Sequence, residues 1–159
     1  MSTRILRPIL TALLIVMLSV PALAGREIFL SSGQTVYVPV YSHIYQGIKG
    51  KPYNLSALLS IRNVDYNEPI TITSVKYYDD NGTMQKAYFT SPVTIPPMGT
   101  KEVYIPERDT SGGSGANFTV MWESTTKVST PIIQAVMIGT ASSQGISFVC
   151  DGVAIKEKE

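Results

Sequence analysis

The sequence predicts an all-β chain: a single immunoglobulin- or fibronectin-like antiparallel β-sandwich that follows a cleaved signal peptide. Three observations lead there. Short apolar stretches of alternating parity recur with turn signals between them, as a β-sandwich of seven to nine strands requires. No stretch after residue 24 keeps a helical period. Before that point, Arg4 and Arg7 precede an apolar run from Pro8 to Val20 and the small-residue site Ala22-Leu23-Ala24. That order of basic, apolar and small residues is a secretory signal, with cleavage expected between Ala24 and Gly25. The run is shorter than the roughly 20 apolar residues a membrane helix needs.

With residues 1–24 removed, the remainder of the 159 residues is one domain by size, large enough to bury a core without covalent staples. The formal charge of +1 drops by two when Arg4 and Arg7 leave. Neither sign forms a long block, which argues against a general electrostatic attraction to nucleic acid or anionic membrane. One cysteine, Cys150, allows no internal disulfide. The expected localisation is periplasmic or secreted.

The elements follow in order. Residues 25–34 form a partly ordered N-terminal segment, and the sandwich spans 35–155. Thr35 to Tyr41 is β-branched and aromatic, with Pro39 suggesting an edge or a bulge. In Leu55 to Asn63, Leu55, Ala57, Leu59 and Ile61 share one face. Asp65 to Pro69 is a turn. Ile70 to Tyr78 changes parity near Thr73-Ser74, which predicts a bulge. Asp79-Asp80-Asn81-Gly82 is a hairpin signal, and Lys86 to Phe89 pairs back. Val93 to Ile95 and Lys101 to Ile105 flank the turn Pro96 to Gly99. Phe118, Val120 and Trp122 alternate, Pro131 to Thr140 is apolar on both faces, and Ile146, Phe148 and Cys150 close the series. Lys156 to Glu159 reads as a solvated charged tail.

Several segments resemble chemistry without completing it. In Asp109-Thr110-Ser111-Gly112-Gly113-Ser114-Gly115, one Asp-Thr cannot make the two-carboxylate pair of an aspartic protease. Ser114 lacks the strand-to-helix elbow of a serine hydrolase, and only His43 could serve as its base. The segment therefore reads as a tight connection between strands, with a hydrolase of His43, Ser114 and Asp109 kept as an alternative. Asp79 to Gly82 in a calcium-loop register puts Tyr77 and Tyr88 where oxygen ligands belong, so it is a turn. His43 alone cannot assemble a zinc or copper shell. A metal or redox role using Cys150, His43 and methionines is the second alternative. Cys150 shares parity with Ile146 and Phe148 and should face the packed side as a small apolar group. The three sequons, at Asn54, Asn81 and Asn117, matter only in a host with glycosylation machinery. No cofactor is expected.

The stretch Tyr41 to Tyr53 reads as a long loop dense in aromatic and basic side chains. Tyr41, His43, Tyr45 and Lys51 form the candidate partner-binding patch, suited to an envelope protein or a glycan.

Five stretches together resemble a bacterial family catalogued as domain of unknown function 3124. They are SGQTVYVPVYSHIY (Ser32 to Tyr45), LSIRN (Leu59 to Asn63), TSVKYYD (Thr73 to Asp79), DTSGGSGANF (Asp109 to Phe118) and AVMIGTASSQGISFV (Ala135 to Val149). The resemblance implies a secreted or envelope-associated protein and transfers no catalytic or ligand residue. It marks the glycine loop and the Tyr41 to Tyr53 loop as family features. Many relatives are lipid-anchored, whereas Ala24-Gly25 offers no cysteine for a lipid. The expectation is a non-enzymatic exported binding or structural module of the bacterial envelope.

Overall fold

The computed structural model describes residues 29–89, 91–141 and 145–158. The signal segment and the Ala24-Gly25 cleavage site lie outside them. Among the described residues there is no helix, and every strand pairing is antiparallel. One sheet has six strands: β12 (Val153–Glu157), β1 (Leu30–Pro39), β9 (Asn117–Ser129), β5 (Ile70–Tyr78) and β6 (Met84–Tyr88) in that order, with β7 (Val93–Ile95) also on β5. The second sheet orders β11 (Ile146–Asp151), β10 (Ile132–Gly139), β4 (Ser56–Arg62) and β8 (Thr100–Ile105). A separate hairpin joins β2 (His43–Gln46) to β3 (Lys51–Asn54).

Alternation places the core as the sequence suggests. Leu55, Ala57, Leu59 and Ile61 from one sheet and Val38, Phe118, Val120 and Trp122 from the other belong to one buried cluster. The parity change in β5 is a bulge between Ile72 and Ser74. It lets Ile70, Ile72, Val75 and Tyr77 all face inward, although their spacing is not uniform. The Asn81-Gly82 turn connects β5 to β6, with Gly82 at φ 76° and its N–H donating to the Asp79 carbonyl at 3.0 Å.

Pro39 stands where β1, which runs between β12 and β9, is open on one side, as the edge expectation requires; two other expectations are corrected. The Val40 N–H donates to the Ala116 carbonyl on the β9 side, so the Pro39 nitrogen points to the β12 side, where pairing stops at Tyr37. The missing donor breaks no ladder bond. The boundary at residue 35 moves: β1 begins at Leu30, inside the segment expected to be partly ordered. Finally, Lys156 and Glu157 of the expected tail belong to β12, while Glu159 lies outside the described residues. Lys156 and Glu157 register with Thr35 and Gln34. The Glu157 carboxylate accepts from the Ser31 hydroxyl at 2.7 Å and the Gln34 amide at 2.6 Å, and these bonds hold its pKa below the usual carboxylate value. An edge strand needs backbone partners more than apolar side chains, so a charged sequence can fill it.

The chain changes sheets at Gly152. Its N–H donates to the Ile133 carbonyl at 2.8 Å, and a side chain there would press on that carbonyl of β10 and on Val36 of β1, one from each sheet.

Candidate binding surface at the loop end

The tops of β1, β5 and β9 meet around Tyr77. Its ring is buried, and its hydroxyl lies 2.8 Å from the Ser42 hydroxyl. Burial pushes the Tyr77 phenol upward, and the nearby Asp109 charge adds to this while the Ser42 hydrogen bond opposes it. Gly112 packs so closely on that phenol that a Cβ would overlap the hydroxyl. Gly113 takes a left-handed φ of 75° beside the Asp80 carboxylate. Backbone bonds stitch the glycine loop on both sides. The Ser42 N–H donates to the Gly113 carbonyl at 2.9 Å, and the Asp80 N–H donates to the Gly112 carbonyl at 3.2 Å. The glycine loop and the segment starting at Tyr41 therefore sit at one end of the molecule. The glycines serve close packing on Tyr77 and Asp80.

From that corner the chain does not loop but pairs. His43 stands opposite Asn54, Ile44 opposite Tyr53, Tyr45 opposite Pro52 and Gln46 opposite Lys51. Strand alternation turns Ile44 and Tyr53 toward the core and His43, Tyr45, Pro52 and Asn54 away from it. Tyr53 lies where a Cβ on Gly139 would overlap its ring, so that glycine admits the hairpin base. Gly47 and Gly50 bracket the hairpin tip. Both are left-handed, at φ 66° and 58°, and close the tip through Gly50 N–H to the Gly47 carbonyl at 3.1 Å.

The four residues of the expected patch separate in two ways. His43 and Tyr45 come together: their rings meet edge to face at 5.2 Å, with Nε2 3.3 Å from the phenol oxygen. Tyr41 is half-buried and packs edge to face on Phe148 at 5.6 Å, which ties the segment after β1 to β11. Lys51 is exposed but shares strand parity with Tyr53, so it leaves the hairpin on the face opposite Tyr45.

Two of the three hydrolase candidates, Asp109 and His43, have other partners. Asp109 accepts from the Ser111 hydroxyl at 2.6 Å and the Ser111 N–H at 3.1 Å, while the His43 imidazole is with Tyr45. Cys150 is half-buried beside Ile146 and Phe148 on the core side, and burial pushes its thiol upward. Among the described residues, no three His, Cys, Asp or Glu side chains come together as a metal site would need. Two grooves lie elsewhere. One of about 380 Å³ is bounded by Phe29, Leu30, Val36, Pro131, Ile133 and Ala154. The other, of about 260 Å³, is bounded by Thr35, Thr73, Met121, Lys156 and Lys158.

A family model described as a protein of unknown function, DUF3124, matches residues 33–155. The chain belongs to that family. The DUF3124 match starts within β1 and ends within β12, so it takes in both sheets, the glycine loop and the β2–β3 hairpin. Among curated proteins, none matches. A crystal structure of Thermotoga maritima 1070 is similar over 79% of this chain and 97% of its own, at 15% identity and a TM-score of 0.47. No helix among the described residues is long and apolar enough to cross a membrane.

Proposed function

We propose that this DUF3124 chain is an exported, non-enzymatic binding module of the bacterial envelope, periplasmic or secreted after cleavage before Gly25. In this reading the two sheets form an immunoglobulin-like sandwich, and the β2–β3 hairpin is its recognition surface. A signal-like N-terminus and a core shared by both sheets support the frame. One observation carries the functional part: His43 and Tyr45 are joined on the outward face of a hairpin whose inward face is anchored by Ile44 and Tyr53. An aromatic ring beside an imidazole and Pro52 offers an apolar platform with polar tips, on a rigid base, which suits a glycan or a protein loop. Relative to the four-residue patch read from sequence, the working set narrows to His43 and Tyr45 with Pro52. Tyr41 acts as an anchor.

The test is retention by the envelope fraction, with pull-down of bound material, for the wild type and a His43→Ala/Tyr45→Ala variant. Loss of retention in the variant, with unchanged thermal stability, is the expected result. Identical retention and identical partner lists would remove the hairpin from the function.

A further inference from the structure

The tip of the hairpin carries a residue that the fold does not require. Gly47, Ile48, Lys49 and Gly50 make the turn, and its geometry needs only the two left-handed glycines. Turns ordinarily take polar residues between such glycines, yet Ile48 is there, fully exposed at 108%. Gln46 to Lys51 are exposed without interruption, so the tip stands clear of the sheets. Lys49 follows Ile48 directly and Lys51 comes two residues later, while Tyr45, 60% exposed, lies three residues behind. From Phe29 to Val64 the sequence contains no Asp or Glu, although the whole chain is nearly neutral. The cationic character is thus local to this part of the surface, where a net charge cannot show it.

We propose that this tip docks on an anionic lipid surface, with Ile48 entering the headgroup layer and Lys49 and Lys51 pairing with lipid phosphates. The proposal rests on the reading of the hairpin as the working surface and names what its tip meets. The order along the hairpin fits that occupant. An aliphatic side chain leads and two cations follow at phosphate depth. A protein pocket for Ile48 would have to match two long flexible cations in fixed positions, whereas a layer of phosphates supplies mobile anions around any insertion point. Asp79, Asp80 and Asp109 belong to loops stitched near Ser42, at the hairpin base. The four residues of β2 span about 13 Å, beyond the roughly 8 Å over which exposed charges act at physiological salt. Those carboxylates therefore do not cancel the tip. Two lysines and one aliphatic side chain give a weak, reversible attachment that favours a surface already held by the His43–Tyr45 face.

The experiment is co-sedimentation of the exported protein with phosphatidylglycerol vesicles and, as the neutral control, phosphatidylcholine vesicles. Binding should be confined to phosphatidylglycerol, should fall with added salt and should not be displaced by soluble phosphate at equal ionic strength. Lys49→Ser and Lys51→Ser should each weaken it about fivefold, and Ile48→Ser about tenfold. Equal binding to both vesicles, or an Ile48→Ser variant that binds like the wild type, overturns the proposal. Loss of envelope retention in Ile48→Ser without any vesicle binding by the wild type also overturns it. That last outcome assigns the tip to a protein pocket and leaves the hairpin reading intact. Wild-type-like envelope retention in His43→Ala/Tyr45→Ala, by contrast, defeats the hairpin reading itself.

Discussion

The two ends of the molecule hold their loops by different means. At the loop end, glycine packing and backbone hydrogen bonds hold the glycine loop. Gly112 is pressed on Tyr77, and Gly113 lies under Asp80. At the other end, side-chain polar groups do the holding. The buried Asn63 amide donates to the carbonyls of Glu68, Ile95 and Pro96 at 2.8, 3.3 and 3.1 Å, and its oxygen accepts from the Asp65 N–H at 3.0 Å. Asp65 in turn accepts from the N–H groups of Asn67, Glu68 and Ser129. One end is a polar knot joining the β4–β5 and β7–β8 connections to β9. The other is a sterically locked base from which the hairpin projects. A base fixed in this way can carry a hairpin whose inward face packs on the core and whose tip is exposed. The knot spends its polar groups internally.

The largest effect should come from the contact-held end. Gly112→Ala places a methyl group against the Tyr77 phenol, and we expect a loss of about 3 kcal/mol in urea unfolding. A loss below about 1 kcal/mol would show that the glycine loop can shift, and the hairpin base would then not be rigid. Asn63→Ala at the polar end leaves buried acceptors without donors and should cost about 2 kcal/mol. Ser42→Ala removes only the partner of the Tyr77 hydroxyl and should cost about 1 kcal/mol by the same measurement.

The smallest and most selective effect is on acid stability. Asp65 is held below the usual carboxylate value chiefly by the Asn67 N–H, with Ser129 and Glu68 adding to it, and Asp79 chiefly by the Thr83 N–H. A carboxylate whose folded pKa lies below its unfolded one contributes stability that is complete above the unfolded value. That contribution is lost as pH falls through the folded value. The acid limb should therefore open below about pH 4. Asp65→Asn should flatten it, seen as a smaller fall in Tm between neutral and acid pH. An unchanged limb would mean the aspartate knot is not what holds that end.

Much of this contrast could be read from residues, and part could not. Parity gave the core of β4, β5 and β9, because a half-buried strand must alternate. It also gave the β5 bulge, since Ile70 and Val75 cannot otherwise share a face. The β5–β6 turn followed from Asn81-Gly82. The hairpin at β2–β3 was not legible, because Lys51-Pro52 suggests a loop and its burial depends on Gly139, far along the chain. The same holds for Gly112, whose partner Tyr77 lies on another strand. Asn63 at the end of an apolar strand was a signal that could have been taken as a cap for two loops. Glu157 shows the converse: charge near a terminus hides an edge strand when its partners, Ser31 and Gln34, sit at the opposite end of the sequence.

The most direct measurement compares the two ends as surfaces. A photo-crosslinking phenylalanine analogue is placed at Tyr45 on the hairpin or at Tyr66 in the polar knot, both strongly exposed, and the cells producing each variant are irradiated. The account predicts adducts, whether protein, glycan or lipid, from position 45 and none above background from position 66. Adducts from position 66 with a silent position 45 would contradict it and move the working surface to the other end.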